Sequence, residues 1–380
     1  MTTTSPSSFR ELTGIGFDDA TSRYRPRIIG VGTAVPETSY SQTEVLDLFG
    51  ITDPKVRSVF LGGGIDRRFL TLPPEKADGT RHLETQGELL RKHKRNAVDM
   101  GRRAVLSCLD EIGAGLDDIA YLCCVTSTGF LTPGLSAHLI KNMGLGIDTA
   151  RVDVVGMGCN AGLNGLTAVS SWATANPGRL AVMVCVEACS AAYVFDGTMR
   201  TSVVNSLFGD GSAAAAVIAN PSSERGGGAS GYGGGAEVLK FASCLIPDAI
   251  DAMRYDWDDQ QDRFSFFLDR DIPYVVGAQA ESVVDRLLSG TGLLRKDIAQ
   301  WIVHSGGKKV IDSVTVNLGL TRHDVRHTTG VLRDYGNLSS GSFLFSYDRL
   351  RAEGAMNPGE FGIFMTMGPG STIETLLFRS

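Results

Sequence analysis

In the stretch GMGCNAGLNGL, Gly156 to Leu166, a single cysteine sits among small residues. The preceding RVDVV reads as a strand, and the following NAGLNGLTAVSSWATA reads as a helix packed on all sides. Cys159 therefore falls at a strand-to-helix corner. At the first turn of a helix, unpaired backbone N–H groups and the helix dipole favour an anion. A thiol placed there is expected to have a lowered pKa and to act as a nucleophile. The competing reading is a small buried hydrophobe, the commoner fate of cysteine. Cys108, Cys123, Cys124, Cys185 and Cys244 lie inside helical or strand-like runs and read as core.

A thiol nucleophile needs a base, and an oxyanion needs donors. Of six histidines, His82 and His93 fall in polar segments expected to be exposed. His138 falls in a helix, and His323 and His327 in a polar loop. His304 differs. It ends the apolar strand WIV and opens SGGKK, a glycine turn into a helix. That is the carboxyl end of a strand, where α/β proteins place ligands. A satisfied histidine at a strand end is the plainer alternative. In DYGNLSSGSFLF, Asn337 precedes two serines and a helix. It reads either as an N-cap or as an amide presented to a developing enolate. MGPGS, Met367 to Ser371, is a tight turn between strands, or a backbone wall to a pocket.

These residues need a scaffold, and the chain supplies one. RIIGVGTAVPE is a first strand and its turn, and SQTEVLDLFG is a helix with Ser41 as N-cap. GELLRKHKRNAVDMGRRAVLSCLDEIG has the 3.6-residue period of a long amphipathic helix, with RKHKR on a solvated face. IAYLCCVTST and RLAVMVCVEAC are nearly continuous apolar runs, expected as buried strands. Strands alternating with helices argue an α/β fold with sheets covered on both faces.

The chain divides at PSSERGGGASGYGGGAE, where seven residues between 226 and 235 are glycine. The expected organisation is a tail over 1–24, an N-terminal half over 25–222 with the nucleophile, a glycine-rich loop over 223–236, and a C-terminal half over 237–380 with the histidine and asparagine. At 380 residues and 43% apolar composition, a large core can be buried. The net charge of −6 and the lack of a long basic run argue against nucleic acid and anionic membrane as partners. No run of about 18 apolar residues crosses a membrane, and no apolar signal core opens the chain. Seven scattered cysteines without CxxC spacing suit free thiols in a cytoplasmic protein and no zinc site.

Cys159 in GMGCNAGLNGL, His304 in VHSGGKKVID and Asn337 in YGNLSSGSFLF occur in order and spacing with LFGDGSAA and MGPGSTIE. Together they resemble the thiolase superfamily, and within it the type III (chalcone synthase-like) polyketide synthases, over roughly Arg27 to Ser380. The resemblance implies an α/β duplicated thiolase fold of five layers, αβαβα, usually in a homodimer. It implies no metal, no organic cofactor and no acyl carrier protein. TSTGFLTPGLSA, EACSAAY, DGTMRT, DAMRYDWD and RHDVRHTTGVLRDYGNLSSGSFLFSY resemble a bacterial branch tied to glycopeptide-type antibiotics. For that branch malonyl-CoA is both starter and extender, with accessory pathway enzymes as possible partners.

The same resemblance implies roles residue by residue. Cys159 would carry the acyl group, His304 would pair with the thiolate and bind the thioester carbonyl, and Asn337 with His304 would stabilise the enolate. Phe208 and Phe266 would stand where the CoA tunnel meets the cavity, or be ordinary core. Cys189 and Ser339 would line the cavity, with Gly368, Pro369 and Gly370 as its floor. The chain departs from the family in carrying lysines after the His304-Ser305-Gly306-Gly307 run and glycines 62 to 64 in its basic cluster. Lys55, Arg57, Arg68 and Lys308 are the candidates for CoA contacts, Lys308 equally a solvated helix-start residue. The rivals are an initiating ketoacyl synthase, a type III synthase with another starter, and a non-catalytic chain-length-factor-like partner.

Overall fold

The computed structural model describes residues 24–221 and 235–380. Apart from Tyr24, Gly235 and Ala236, the expected tail and glycine-rich loop lie outside the described residues. Tyr24 and Ala236, assigned to them at the sequence level, instead open the strands Tyr24–Ala34 and Ala236–Leu245.

Nine strands form one sheet in the order Ile298–Val303, Phe361–Gly368, Thr372–Arg379, Ala236–Leu245, Tyr24–Ala34, Gly211–Pro221, Leu180–Glu187, Ile119–Thr126 and Ala150–Val155. The C-terminal strands come first in that order and the N-terminal strands last. The two sets join where Arg27 pairs Glu237 and Ile28 pairs Ala236.

The burial pattern explains the layering. Along Leu180–Glu187, Ala181, Met183 and Cys185 face one cluster, while Val182, Val184 and Val186 face another. A strand that is apolar on both faces must be covered on both faces. The outer cover of the N-terminal half is the helix Gln86–Ile112, through Ala97, Met100, Ala104 and Cys108, with Leu135–Met143 beside it. The outer cover of the C-terminal half is Ile272–Leu288 with Lys308–Leu318. Between the two sets of strands lie the helices Ala161–Ala175 and Ser342–Glu353, whose Leu163, Leu166, Phe343 and Leu344 share one core with strand residues of both halves. The result is helix, strands, helix, strands, helix, with the two halves of the one sheet supplying both strand layers: the five-layer arrangement expected of a duplicated thiolase fold.

Ser41 caps its helix in a capping box with Glu44, as its spacing suggests. RKHKR departs from expectation. Arg91, Lys94 and Arg95 are exposed, but Lys92 and His93 are buried. Two adjacent positions of the five fall on the core side of the helix. Lys92 Nζ there donates to Glu84 (2.5 Å), the Thr71 carbonyl (3.1 Å) and the Ser190 carbonyl (3.2 Å). His327 likewise lies buried in a helix, Arg326–Tyr335, rather than in a loop.

Phe343 is fully buried in the central layer, 5.4 Å from the Phe364 ring of the C-terminal strands. Phe343→Ala is expected to cost about 3–5 kcal/mol in chemical denaturation. A loss below about 1 kcal/mol would mean the central layer repacks freely.

Candidate active site

Both central helices begin with the residues that could do chemistry. A short 3-10 turn, Gly158–Asn160, leads into Ala161–Ala175, and a second, Ser339–Gly341, leads into Ser342–Glu353. Packing the two helices between the sheets brings these two turns together. Gly158 has φ +75, and a Cβ there would lie 2.3 Å from Pro369 Cδ. A Cβ on Gly368 would lie 3.0 Å from the backbone nitrogen of Cys159. The Met367–Ser371 turn thus packs directly against the turn that bears the thiol, and only glycine fits at both contacts.

Cys159 is 6% exposed. Its Sγ accepts a hydrogen bond from Ser339 Oγ at 3.4 Å. Ser339 is held at φ +48, a left-handed conformation uncommon outside glycine. Asn337 Oδ1 accepts from the Ser339 N–H at 2.8 Å. That bond leaves the amide nitrogen for the other side, where Asn337 acts to lower the pKa of the Cys159 thiol.

His304 follows the strand Ile298–Val303, and its N–H donates to the Met365 carbonyl at 2.8 Å. Three residues beyond Met365, Gly368 abuts Cys159. The imidazole is 2% exposed, and its Nδ1 has no protein partner.

Burial governs the electrostatics. It pushes the Cys159 thiol up to about 12, with the Glu187 charge adding and hydrogen bonds from Ser339 and Asn337 opposing. It pushes His304 down to about 4. The lowered thiol pKa expected from a helix start is therefore not what this pocket supplies: desolvation outweighs the backbone donors. Charge on either group alone is disfavoured. A proton moved from sulfur to imidazole creates a pair with no net charge, which a dry pocket tolerates better.

Four residues here escaped the sequence reading. Glu187 is fully buried and accepts from the Ser127 N–H and Oγ, both at 3.0 Å, and from Ser340 Oγ at 2.5 Å. Ser127 Oγ lies 2.9 Å from Ser339 Oγ, so the carboxylate, two hydroxyls and the sulfur lie in a row. The available signal was an acid ending the otherwise apolar run LAVMVCVE. The Tyr193 ring lies 4.8 Å from Phe208, tilted, and 5.7 Å from Phe266, edge-on. Phe208 and Phe266 lie 5.8 Å apart, nearly edge-on. These rings pack on one cluster with Cys159, Cys189 and Val204. Phe266 reaches it on the hairpin Met253–Asp258/Arg263–Leu268, which carries no strong sequence signal.

The CoA candidates separate. Lys55 is exposed on the helix Pro54–Leu61. Arg57 is tied to the Ile51 carbonyl at 3.0 Å and to Asp47 at 3.4 Å. Lys308 is exposed at the start of its helix, paired with Asp312 at 2.5 Å, and its stem passes the Gly64 turn. Arg68 must be withdrawn as a CoA contact. It is 0% exposed, because its donors are consumed inside the protein. Gly370, with φ +74, completes the turn beside the thiol. Among the described residues no three His, Cys, Asp or Glu side chains gather to hold a metal, and no helix is long and apolar enough to cross a membrane.

A thiol buried between the two halves of a thiolase fold is the arrangement of an acyl-transferring condensing enzyme. Residues 18–221 match the N-terminal domain of the chalcone and stilbene synthases, and residues 242–380 match their C-terminal domain. The chain belongs to that family, the type III polyketide synthases. It is 67% identical over 355 residues, 93% of its length and 90% of the relative's, to the 3,5-dihydroxyphenylacetyl-CoA synthase of Streptomyces toyocaensis. It is also 67% identical over 353 residues, covering 93% of each chain, to the enzyme of the same name from Amycolatopsis orientalis. The crystal structure of 1,3,6,8-tetrahydroxynaphthalene synthase from Streptomyces coelicolor A3(2) superposes with a TM-score of 0.81 at 28% identity, covering 93% of this chain and 99% of that one.

His304→Ala tests whether the imidazole takes the thiol proton. The sign is set by the burial shift: without a paired cation, the Cys159 thiol stays protonated to higher pH. Alkylation of Cys159 by iodoacetamide at pH 7 is expected to slow by roughly 10-fold or more, and its pH profile to move upward. Superimposable profiles would show that His304 does not accept the proton.

Proposed function

We propose that this chain builds 3,5-dihydroxyphenylacetyl-CoA from malonyl-CoA alone. The observation that carries the reading is identity of 67% across 93% of the chain to synthases of that name, combined with a thiol and an amide that meet in one buried pocket.

The residues divide the chemistry as follows. His304 takes the Cys159 proton, and the thiolate attacks the thioester carbonyl of the starter, releasing CoA and leaving an acyl-cysteine. A second malonyl-CoA loses CO2, and its electron pair passes into the thioester carbonyl as an enolate. The Asn337 amide and the protonated His304 stabilise that oxygen. The enolate carbon then displaces Cys159 Sγ from the acyl group, so the lengthened chain leaves on CoA and returns to Cys159 for the next round. Four malonyl units give an eight-carbon chain, with three CO2 lost from the extenders, one from the starter as a proton replaces its carboxylate, and three CoA released. Carbon–carbon closure with loss of one water gives the dihydroxyphenyl ring. The product keeps CoA because each condensation ends on CoA. No hydrolysis is needed.

The rings of Tyr193, Phe208 and Phe266 stand beside the sulfur and would bound the growing chain, with Cys189 and Ser339 setting the remaining volume. Exposed Lys308 and Lys55 are suited to CoA phosphates. The strand Ala150–Val155 is a sheet edge, with Val155 40% exposed and Met157 36% exposed just before Cys159. An unpaired apolar edge invites a second copy, and we read it as the homodimer contact. The free thiols suit a cytoplasmic site, and the product suits a pathway to an antibiotic building block, with accessory enzymes consuming it.

Purified protein given only malonyl-CoA is expected to yield dihydroxyphenylacetyl-CoA by mass spectrometry, and the free acid after alkaline hydrolysis. Turnover that requires a second acyl-CoA would overturn the choice of starter. Cys159→Ala is expected to abolish condensation with the fold intact by circular dichroism. Asn337→Ala is expected to lower CO2 release on the order of 100-fold, the cost of losing one oxyanion donor. Val155→Lys is expected to give a monomer in analytical ultracentrifugation, and an unchanged dimer would place the contact elsewhere.

A further inference from the structure

Arg68 is fully buried, and its hydrogen bonds serve one helix end, directly and through Gln42. The helix Met199–Leu207 terminates at Phe208, and its last carbonyls need donors from outside the helix. Arg68 Nη1 donates to the carbonyls of Asn205 (2.6 Å) and Phe208 (2.8 Å). Arg68 Nε and Nη2 grip Gln42 Oε1 at 3.2 and 2.8 Å, and Gln42 Nε2 donates to the Ser206 carbonyl at 2.6 Å. The Leu207 carbonyl accepts from the backbone N–H of Asn337 at 2.9 Å. All four carbonyls from 205 to 208 are thereby satisfied. In return the Gly209 N–H donates to the Asn337 carbonyl at 3.0 Å, closing a parallel bridge between Phe208 and Asn337.

The guanidinium stem also fills the space behind both residues. A Cβ on Gly336 would lie 2.9 Å from Arg68 Cγ and Cδ, and one on Gly209 would lie 3.5 Å from Arg68 Cβ. Burial pushes the Arg68 guanidinium down to about 9, with the nearby Asp210 charge opposing, and its place at a helix C-terminus favours a cation. One buried side chain thus sits behind the aromatic wall from the N-terminal half and the amide from the C-terminal half.

We infer that Arg68, clamped by Gln42, is a positioning residue that sets the Phe208 ring and the Asn337 amide in a common register, so that decarboxylation occurs only beside a correctly walled acyl chain. The inference rests on the roles proposed above for those two residues. Arg68 touches neither substrate nor sulfur, and it acts through the backbone of the wall and the amide. Loosening the clamp should therefore lower kcat while KM, set at the exposed CoA surface, stays nearly constant. It should also uncouple the two events, releasing more CO2 per ring formed.

The test compares Arg68→Met, Arg68→Lys and Gln42→Ala with the wild type. Readouts are kcat and KM for malonyl-CoA, CO2 released per aromatic product, and shorter keto acids by mass spectrometry. Folding is checked by circular dichroism. Arg68→Met is expected to lose roughly 10- to 100-fold in kcat, the scale of a slight misplacement of a reacting group. Arg68→Lys should recover part of it. Gln42→Ala, which leaves Arg68 in place, should shift the CO2-to-product ratio in the same direction by less, and it carries the test if Arg68→Met does not fold. Folded Arg68→Lys and Gln42→Ala with wild-type kcat and ratio, even with a lowered Tm, would reduce Arg68 to a structural plug and overturn the inference. A wild type that makes no ring from malonyl-CoA alone would instead defeat the proposed substrate. In that case the kcat and CO2 comparison on the acyl-CoA that does turn over still decides the role of Arg68.

Discussion

The pocket depends on burying two helices between the two sets of strands of one sheet. Ala161–Ala175 and Ser342–Glu353 are apolar on the faces that meet strands from both halves, and they have no other place to hide that surface. At about 25 cal/mol per Å² of apolar surface removed from water, the central layer is a dominant favourable term. Its geometric consequence is chemical. Each helix is preceded by a short turn, and stacking the helices brings the turn with Cys159 against the segment with Asn337 and Ser339. Duplication places the two turns at equivalent ends, so a site forms at the seam that neither half could form alone.

Dryness at the seam then sets the terms for every polar group in it. Cys159 and His304 are each driven toward their neutral forms, so charge is admitted only in compensated form. Glu187 survives burial by collecting hydrogen bonds from Ser127 and Ser340, and burial still pushes its carboxyl up. The helix end at Phe208 survives because each of its carbonyls finds a donor. A buried group without a partner would cost about 1–3 kcal/mol, so these networks are strict requirements on neighbours as well as local decoration. The same strictness holds the aromatic wall beside the sulfur while leaving Ser339 in a strained backbone conformation.

The order of elements was legible in the chain because apolar period carries it. LAVMVCV is apolar at every position and can only be a strand covered twice, and the period of Gln86–Ile112 is unmistakably helical. The glycine turns after VDVV and WIV likewise marked Cys159 and His304, since a reactive side chain at a strand end needs close backbone approach. RKHKR was not legible. Whether Lys92 is solvated depends on Glu84, Thr71 and Ser190, and composition cannot weigh a cation against partners it does not know. Arg68 misled for the same reason: a basic residue in a basic stretch reads as a phosphate contact until the carbonyls of Asn205 and Phe208 close around it. Tyr193 and Phe266 met only because a hairpin with weak alternation folds back over the nucleophile.

By itself, then, the sequence determined the layered α/β architecture and which thiol, imidazole and amide stand at turns able to present them. Those properties follow from local periodicity and backbone permissiveness, which neighbours in sequence decide. Tertiary structure alone decided the protonation tendencies of Cys159 and His304, the burial of Lys92 and Arg68, and the junction of Phe208 with Asn337. Each of these is a balance between desolvation and partners drawn from distant segments, and that balance does not exist until the two halves close on each other.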